Sequence, residues 1–396
     1  LLKNKSAEES WEHPQGIFYR ATGMNLDGKV VALFSGQGSQ YLEMGKEIVM
    51  NFPQMRQMYS YMDGLLLQEK LKPLSEVVFP NPVFTEMERN SQAAALQRTE
   101  YAQPAIGLLS SGLYKILKQA GFKADFVAGH SFGELTALWA AEVLTDEDYC
   151  FLVKSRGQAM AAPQYPNYDT GTMLAVKSEL EIIEAILKQF PKVAIANLNS
   201  PTQVVLAGPT ADIHKLKDLL RQQGSNAVLL PVAAAFHTPL IAFAEKSFAI
   251  AIKDVEFQIP KVPVYTNVTA KEYPQTSSEI QKILETHISN PVLFKQEIEN
   301  IYDAGGYCFI EFGPRKILTN LVKDILGERP HLAIALNPSA QKNSDHLLRQ
   351  AVLQLRVVGL CLQNLDPYYI PKPLPETETK KGLKFQLNGM NYVSDK

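Results

Sequence analysis

The sequence predicts an α/β protein: a larger domain on a parallel sheet, with a ferredoxin-like subdomain set into it. Three observations carry this. Short apolar runs end in glycine-rich turns that open helices, as at residues 29–34 before Ser35-Gly36-Gln37-Gly38-Ser39-Gln40, and at residues 125–128 before Gly129-His130-Ser131-Phe132-Gly133. Residues 171–236 change rhythm to strand, helix, two strands joined by a turn, helix and strand, which is the ferredoxin-like order. The first rhythm then resumes near Thr238.

In chain order, residues 1–28 are polar and aperiodic and read as a linker arm. The chain starts Leu1-Leu2-Lys3 without Met, so a segment of a longer polypeptide is expected. The large domain is expected over 29–170 and 238–340. It begins with the buried strand 29–34. Residues 73–92, rich in Pro, Asn and Glu, read as a surface excursion. Residues 103–120 are apolar at helical spacing (Ile106, Leu109, Leu113, Leu117) and stop at Gly121. A short strand at 125–128 leads into the serine turn and an Ala-rich helix over 134–144. The subdomain, 171–237, holds strands at 171–176, 192–197, 203–207 and 227–232 and helices at 180–190 and 211–223. The large domain continues with strand 262–265, helices 277–287 and 294–304, strand 308–312, the turn Gly313-Pro314 and helix 317–326. Residues 341–396 read as a C-terminal helix (346–362) and a linker: a Pro-rich, charged stretch over 366–378 and a strand or further linker over 382–394.

Composition limits the function classes. The chain has 396 residues, 46% hydrophobic and 20% charged, enough for a large core without disulfides or metal. A net charge of −2 gives nothing that suggests nucleic acid or an anionic membrane as the main partner. No apolar run reaches the roughly 18 residues of a spanning helix, and the N-terminus is not a signal peptide. Cys150, Cys308 and Cys361 are odd in number, far apart and lack metal-ligand spacing, so they read as core hydrophobes of a cytoplasmic protein.

The chemistry centres on Gly129-His130-Ser131-Phe132-Gly133, which fits G-x-S-x-G. Small residues on both sides of Ser131 let a strand and a helix approach closely, which exposes Oγ at a helix N-terminus. The N–H of Phe132 then points toward an oxyanion site. A serine hydroxyl needs a base. Of seven histidines, His130 is expected to point away, and His237 stands out because it ends Ala233-Ala234-Ala235-Phe236, where the chain returns to the large domain and a cleft is expected. A satisfied core histidine is the competing reading. Arg156, on the next helix, is either an exposed arginine or a buried grip for a carboxylate.

Together, Phe34 to Gln40, Gln103-Pro104-Ala105, Gly129 to Glu134, Arg156-Gly157, Asn199-Ser200-Pro201, Phe236-His237 and Glu311-Phe312-Gly313-Pro314 resemble the malonyl-CoA:acyl carrier protein transacylases and the acyltransferase domains of type I fatty-acid and polyketide synthases. The resemblance runs over residues 30–355. It implies a hydrolase-like large domain. It implies Ser131 as the acylated nucleophile, His237 as its base, and the N–H groups of Gln37 and Phe132 as the oxyanion hole. Arg156 is implied as the partner of the malonyl carboxylate, with Gln103 beside it. His287, four residues before Pro291, is implied to orient His237 through its backbone carbonyl; relatives carry Gln or Asn there. Phe236 before the histidine and Phe132 after the serine resemble malonyl-selective domains, Phe236 leaving little room for an α-methyl group. The Phe132 ring is expected to shape the acyl pocket. The stretch from Phe132 to Ala141, and the tail around Lys380–Lys384 and Leu387–Gly389, look like polyunsaturated-fatty-acid-type or glycolipid-type synthases. No bound cofactor or metal is implied. Malonyl-CoA is the implied substrate, and the partners are a phosphopantetheine-bearing acyl carrier protein and neighbouring ketosynthase and other synthase domains. The rival readings are a thioesterase or lipase-type hydrolase on the same serine and histidine, transfer of acetyl or a longer acyl group, and a non-catalytic docking module.

Overall fold

A computed structural model of the chain describes residues 8–161 and 169–366. The readings made for 1–7 and 367–396 lie outside the described residues. The chain opens with β1 (Ser10–His13) and β2 (Ile17–Arg20), an antiparallel hairpin. The sequence reading expects an aperiodic arm here. The difference has a physical basis: both strands are short and half-exposed, so no apolar period marks them, and stacking of Trp11 on Tyr19 (ring centroids 5.5 Å apart) ties them together.

Next come β3 (Val30–Phe34), α1 (Lys46–Asn51), α2 (Pro53–Gln68), α3 (Leu74–Val78), α4 (Glu86–Gln97), α5 (Thr99–Gln119), β4 (Phe126–Gly129), α6 (Gly133–Ala140) and α7 (Asp146–Ala159). The stretch read as a surface excursion instead contains α3, whose Leu74, Val77 and Val78 are buried, and α4, opened by a Thr85–Glu88 capping box. The inserted unit is β5 (Thr172–Lys177), α8 (Leu180–Leu187), β6 (Ala194–Ser200), β7 (Gln203–Gly208), α9 (Thr210–Gln222) and β8 (Asn226–Leu229). After it come α10 (Ala242–Lys253), α11 (Ser277–His287), α12 (Phe294–Asp303), β9 (Cys308–Pro314), α13 (Ile317–Leu326), β10 (Leu332–Asn337) and α14 (Ser344–Val358).

The large sheet runs β10-β9-β3-β4, and its named pairs are all parallel. A parallel sheet needs both faces covered, and β3 shows how the sequence meets this. Val30, Ala32 and Phe34 enter one core, while Val31 and Leu33 enter another with side chains of α12 and α13. The stretch expected as a strand at 262–265 joins only through a parallel bridge from Val264 to Val127, since Pro263 lacks the N–H a full ladder needs. The second sheet runs β6-β7-β5-β8, antiparallel throughout, with its own core of Leu174, Val204, Leu206, Ile213, Leu216 and others. Its order is the ferredoxin-like one expected from the sequence. Among the described residues no helix is long and apolar enough to cross a membrane, and no three His, Cys, Asp or Glu side chains are grouped to hold a metal.

Candidate active site

The serine turn links the end of β4 to the start of α6. Ser131 adopts φ +51°, a left-handed angle that strains a residue bearing a side chain. Two glycines make the turn possible. A Cβ on Gly129 would lie 2.0 Å from the Gly133 carbonyl carbon, and one on Gly133 would lie 2.0 Å from the Phe34 carbonyl oxygen. The neighbouring turn is pressed against it as closely: a Cβ on Gly36 would meet the His130 oxygen at 2.3 Å. Gln37 is thereby brought beside Ser131 in one cavity.

Asn267 holds this turn, and the sequence reading missed it. Its Oδ1 accepts from the Ser131 N–H (2.6 Å), and its Nδ2 donates to the Gly129 carbonyl and to Glu297 Oε2 (both 2.7 Å). Its own N–H donates to Glu134 Oε2 at 2.6 Å. Its one signal was position, two residues past a strand-like stretch on the β4 side of the sheet, where α/β proteins gather functional groups. Tyr273 also donates to Glu134. Burial raises the Glu134 carboxyl, but His287, Tyr273 and Asn267 outweigh it, and the net shift is downward. Glu297 goes the other way. Burial first, and then the Glu134 charge, hold it well above the usual carboxylate range.

Of the histidines, His237 meets the serine. Its Nε2 lies 2.7 Å from Ser131 Oγ, and its Nδ1 lies 2.9 Å from the Asn290 carbonyl oxygen. A carbonyl only accepts, so the proton is on Nδ1 and the Nε2 lone pair faces the hydroxyl. Burial, with the Arg156 cation nearby, pushes the His237 pKa well below its ordinary value. The ring is therefore neutral and able to take a proton at neutral pH. The residue holding it is Asn290, not His287 as expected. The proline that follows excludes Asn290 from the helical region, so the chain has left α11 there and its carbonyl faces the ring. His130 engages Asn199 instead (Nε2 to Oδ1 2.7 Å), away from the serine as expected.

Arg156, on α7, is 1% exposed and lines the same cavity as Ser131 and His237. The arginine is therefore buried rather than exposed. Its guanidinium carbon lies 5.8 Å from the centre of the Phe132 ring, and Nη2 lies 3.5 Å from His287 Nδ1. Nη1 is buried without a hydrogen-bond partner. Burial lowers the Arg156 pKa to about 10, with Glu134 opposing, so the group remains a cation at neutral pH. The Phe132 ring does not wall the cavity as expected. It lies beneath Arg156 and against Gly107, where an added Cβ would come within 3.0 Å of Phe132 Cζ. Gln103 also sits behind the cavity rather than in it: Nε2 donates to Gln37 Oε1 at 3.3 Å. Phe236 does line the cavity.

The cavity holds about 330 Å³, between the serine turn on one side and Met173 and Val205 of the second sheet, with Leu230 just past β8, on the other. Ile317, Leu318 and Leu321 of α13 also line it, and Glu311 holds the start of that helix. Glu311 accepts from the N–H groups of Leu318 (3.0 Å) and Thr319 (2.8 Å), capping α13. Burial raises the Glu311 pKa to about 6. A serine, a neutral histidine and a buried cation facing one cavity can form a serine ester and pair with an anion on the group it carries.

Fold and cavity define an α/β protein with a serine on a strained strand-to-helix turn, facing a histidine where two sheets meet. The chain belongs to the acyl transferase domain family, whose sequence model matches residues 31–361, and it is an acyltransferase. It is 34% identical over 400 residues to a polyunsaturated fatty acid synthase protein of Thraustochytrium sp., covering 98% of this chain but 14% of that protein's length. It is 30% identical over 305 residues to the malonyl CoA-acyl carrier protein transacylase of Bacillus subtilis, covering 75% of this chain and 90% of that protein. Among solved structures it resembles the acyltransferase domain from the second module of the salinomycin polyketide synthase, with a TM-score of 0.77 and 27% identity, over 97% of this chain and 84% of that one.

Proposed function

We propose that the chain moves a malonyl group from malonyl-CoA, through an ester on Ser131, to the phosphopantetheine thiol of an acyl carrier protein, as one segment of a multidomain synthase of the polyunsaturated-fatty-acid or polyketide type. Its partners are then the carrier protein and the neighbouring ketosynthase and other synthase domains. The observation that carries the reading is Arg156: a buried cation with an unpartnered Nη1 in the cavity that holds Ser131 and His237. A buried charge is costly unless paired, and the free carboxylate of malonate supplies the pairing. The name of the Bacillus subtilis relative supports the same substrate class.

In the first half-reaction the malonyl carboxylate pairs with Arg156. His237 Nε2 takes the Ser131 proton as Oγ bonds to the thioester carbonyl carbon. The N–H groups of Gln37 and Phe132 hold the oxyanion. The carbon–sulfur bond breaks, and CoA leaves as a thiol with the proton returned by His237. In the second, His237 takes the proton of the carrier thiol, sulfur attacks the ester carbon, and Ser131 Oγ leaves with that proton. Phe236 narrows the cavity against an α-methyl group, a discrimination of about 1–3 kcal/mol. Gln103 supports the Gln37 turn from behind.

Incubation with malonyl-CoA, with and without holo-carrier protein, tests this. Malonyl-carrier is expected as the product. Free CoA and malonate with no malonyl-carrier would instead make the chain a hydrolase. A wild-type chain that takes up acetyl in preference to malonyl would contradict the role given to Arg156.

A further inference from the structure

Helix α11 ends at His287, and the imidazole is 1% exposed. It lies between two charged groups. Nδ1 is 3.5 Å from Arg156 Nη2, and Nε2 is 3.2 Å from Glu134 Oε2, off the hydrogen-bonding line. A guanidinium has only donors, so Nδ1 must offer its lone pair; a carboxylate has only acceptors, so the ring proton belongs on Nε2. This is the opposite tautomer to that of His237, whose Nδ1 carries the proton, although the two ring centres are 5.7 Å apart. Of the two terminal nitrogens of Arg156, Nη2 is therefore engaged from behind and Nη1 is left without a partner.

Resting on the malonyl reading above, we propose that the His287 imidazole is a positioning and specificity-determining residue: it bridges Glu134 to one arm of Arg156 and holds the other arm toward the acyl carboxylate. The donor and acceptor order matters more than the ring. A glutamine at 287 can accept from Arg156 through its amide oxygen and donate to Glu134 through its amide nitrogen. A leucine of similar bulk can do neither. Without the bridge the guanidinium is free to turn toward Glu134, which withdraws it from the cavity. An acyl group with no carboxylate does not need Arg156 and loses far less.

The test is competitive loading of the protein with malonyl-CoA and acetyl-CoA, read by intact-protein mass spectrometry and by the separate kinetic constants. H287Q is expected to keep the wild-type malonyl-to-acetyl ratio. H287L is expected to lower it by about 10- to 100-fold, the range expected for one hydrogen bond to a charged group, chiefly through a raised KM for malonyl-CoA. H287L with an unchanged ratio, or with equal loss of both acyl groups, would overturn the inference. Should H287L not fold, the imidazole ¹⁵N spectrum of the wild-type protein decides, with H287Q giving the assignment. The Nε2-protonated tautomer is expected for His287, and an Nδ1-protonated ring or an imidazolium would overturn it. A wild-type chain that takes up no malonyl would overturn the functional reading itself, and this inference with it.

Discussion

Proton placement on His237 sets how this site responds to acid. Its Nδ1 proton is held by Asn290, and burial, with the Arg156 cation nearby, disfavours the imidazolium. The folded pKa is lowered, so the neutral base persists as pH falls through 6.5, the ordinary histidine value. The acid limb of kcat/KM for malonyl loading is therefore expected below pH 6.5; a limb at or above that value would contradict the assignment. The same shift acts on folding. The unfolded chain binds this proton more readily, so the His237 contribution is fully present above the unfolded pKa and is lost as pH falls toward the folded one. The two residues that sequence reading misjudged also show its limits. A backbone carbonyl has no residue-type signature, so nothing in the letters separates Asn290 from His287 as its source. Asn267 is 136 positions from Ser131, and only the fold brings its amide to the serine N–H.

Individual elements depend on contacts between backbones. The strand–serine–helix unit needs hydrogen at Gly129 and Gly133, because added carbons would reach 2.0 Å from backbone atoms. Gly133→Ala is expected to destabilise the protein by about 1–3 kcal/mol, measured by chemical denaturation, with loss of acyl-enzyme formation. Asn267→Ala leaves the Ser131 N–H and Glu297 Oε2 unpartnered inside the protein, at a cost of about 1–3 kcal/mol. It is expected to lower kcat more than it raises KM. Elements flanked by glycine or proline were readable, as with β3, β4 and the six elements of the inserted unit. Those missed were β1 and β2, too short and too exposed to show a period, the helices α1 to α4, and β10 and α10. Leu332–Asn337 does carry an apolar run after Pro330 that could have been read as a strand. The helix over Ala242–Lys253 packs Phe248 and Ile252 into the core while Ile250 is exposed, which blurs its periodicity.

Across the molecule, the antiparallel sheet keeps one face on its own core and turns the other, with Met173, Ala196 and Val205, into the large core beside the cavity, and the reactive groups divide between the two sheets. Ser131 and Arg156 stand with the parallel sheet, and His237 stands where the chain returns from the antiparallel one. The three cysteines take no part. Cys150 and Cys308 are buried, with thiols pushed up to about 12, while Cys361 is exposed. Alkylation of the native protein is expected to modify Cys361 alone and leave loading intact, and all three are expected to react after unfolding. Rapid native modification of Cys150 would show that the packing of α7, which also carries Arg156, is looser than described.

The most direct measurement is intact-protein mass spectrometry of the wild-type chain, Ser131→Ala and Arg156→Ala after exposure to equal malonyl-CoA and acetyl-CoA. A malonyl adduct is expected on the wild type, none on Ser131→Ala, and acetyl in place of malonyl on Arg156→Ala. Malonyl loading that survives in Arg156→Ala at the wild-type level, or an adduct that survives in Ser131→Ala, would contradict the account.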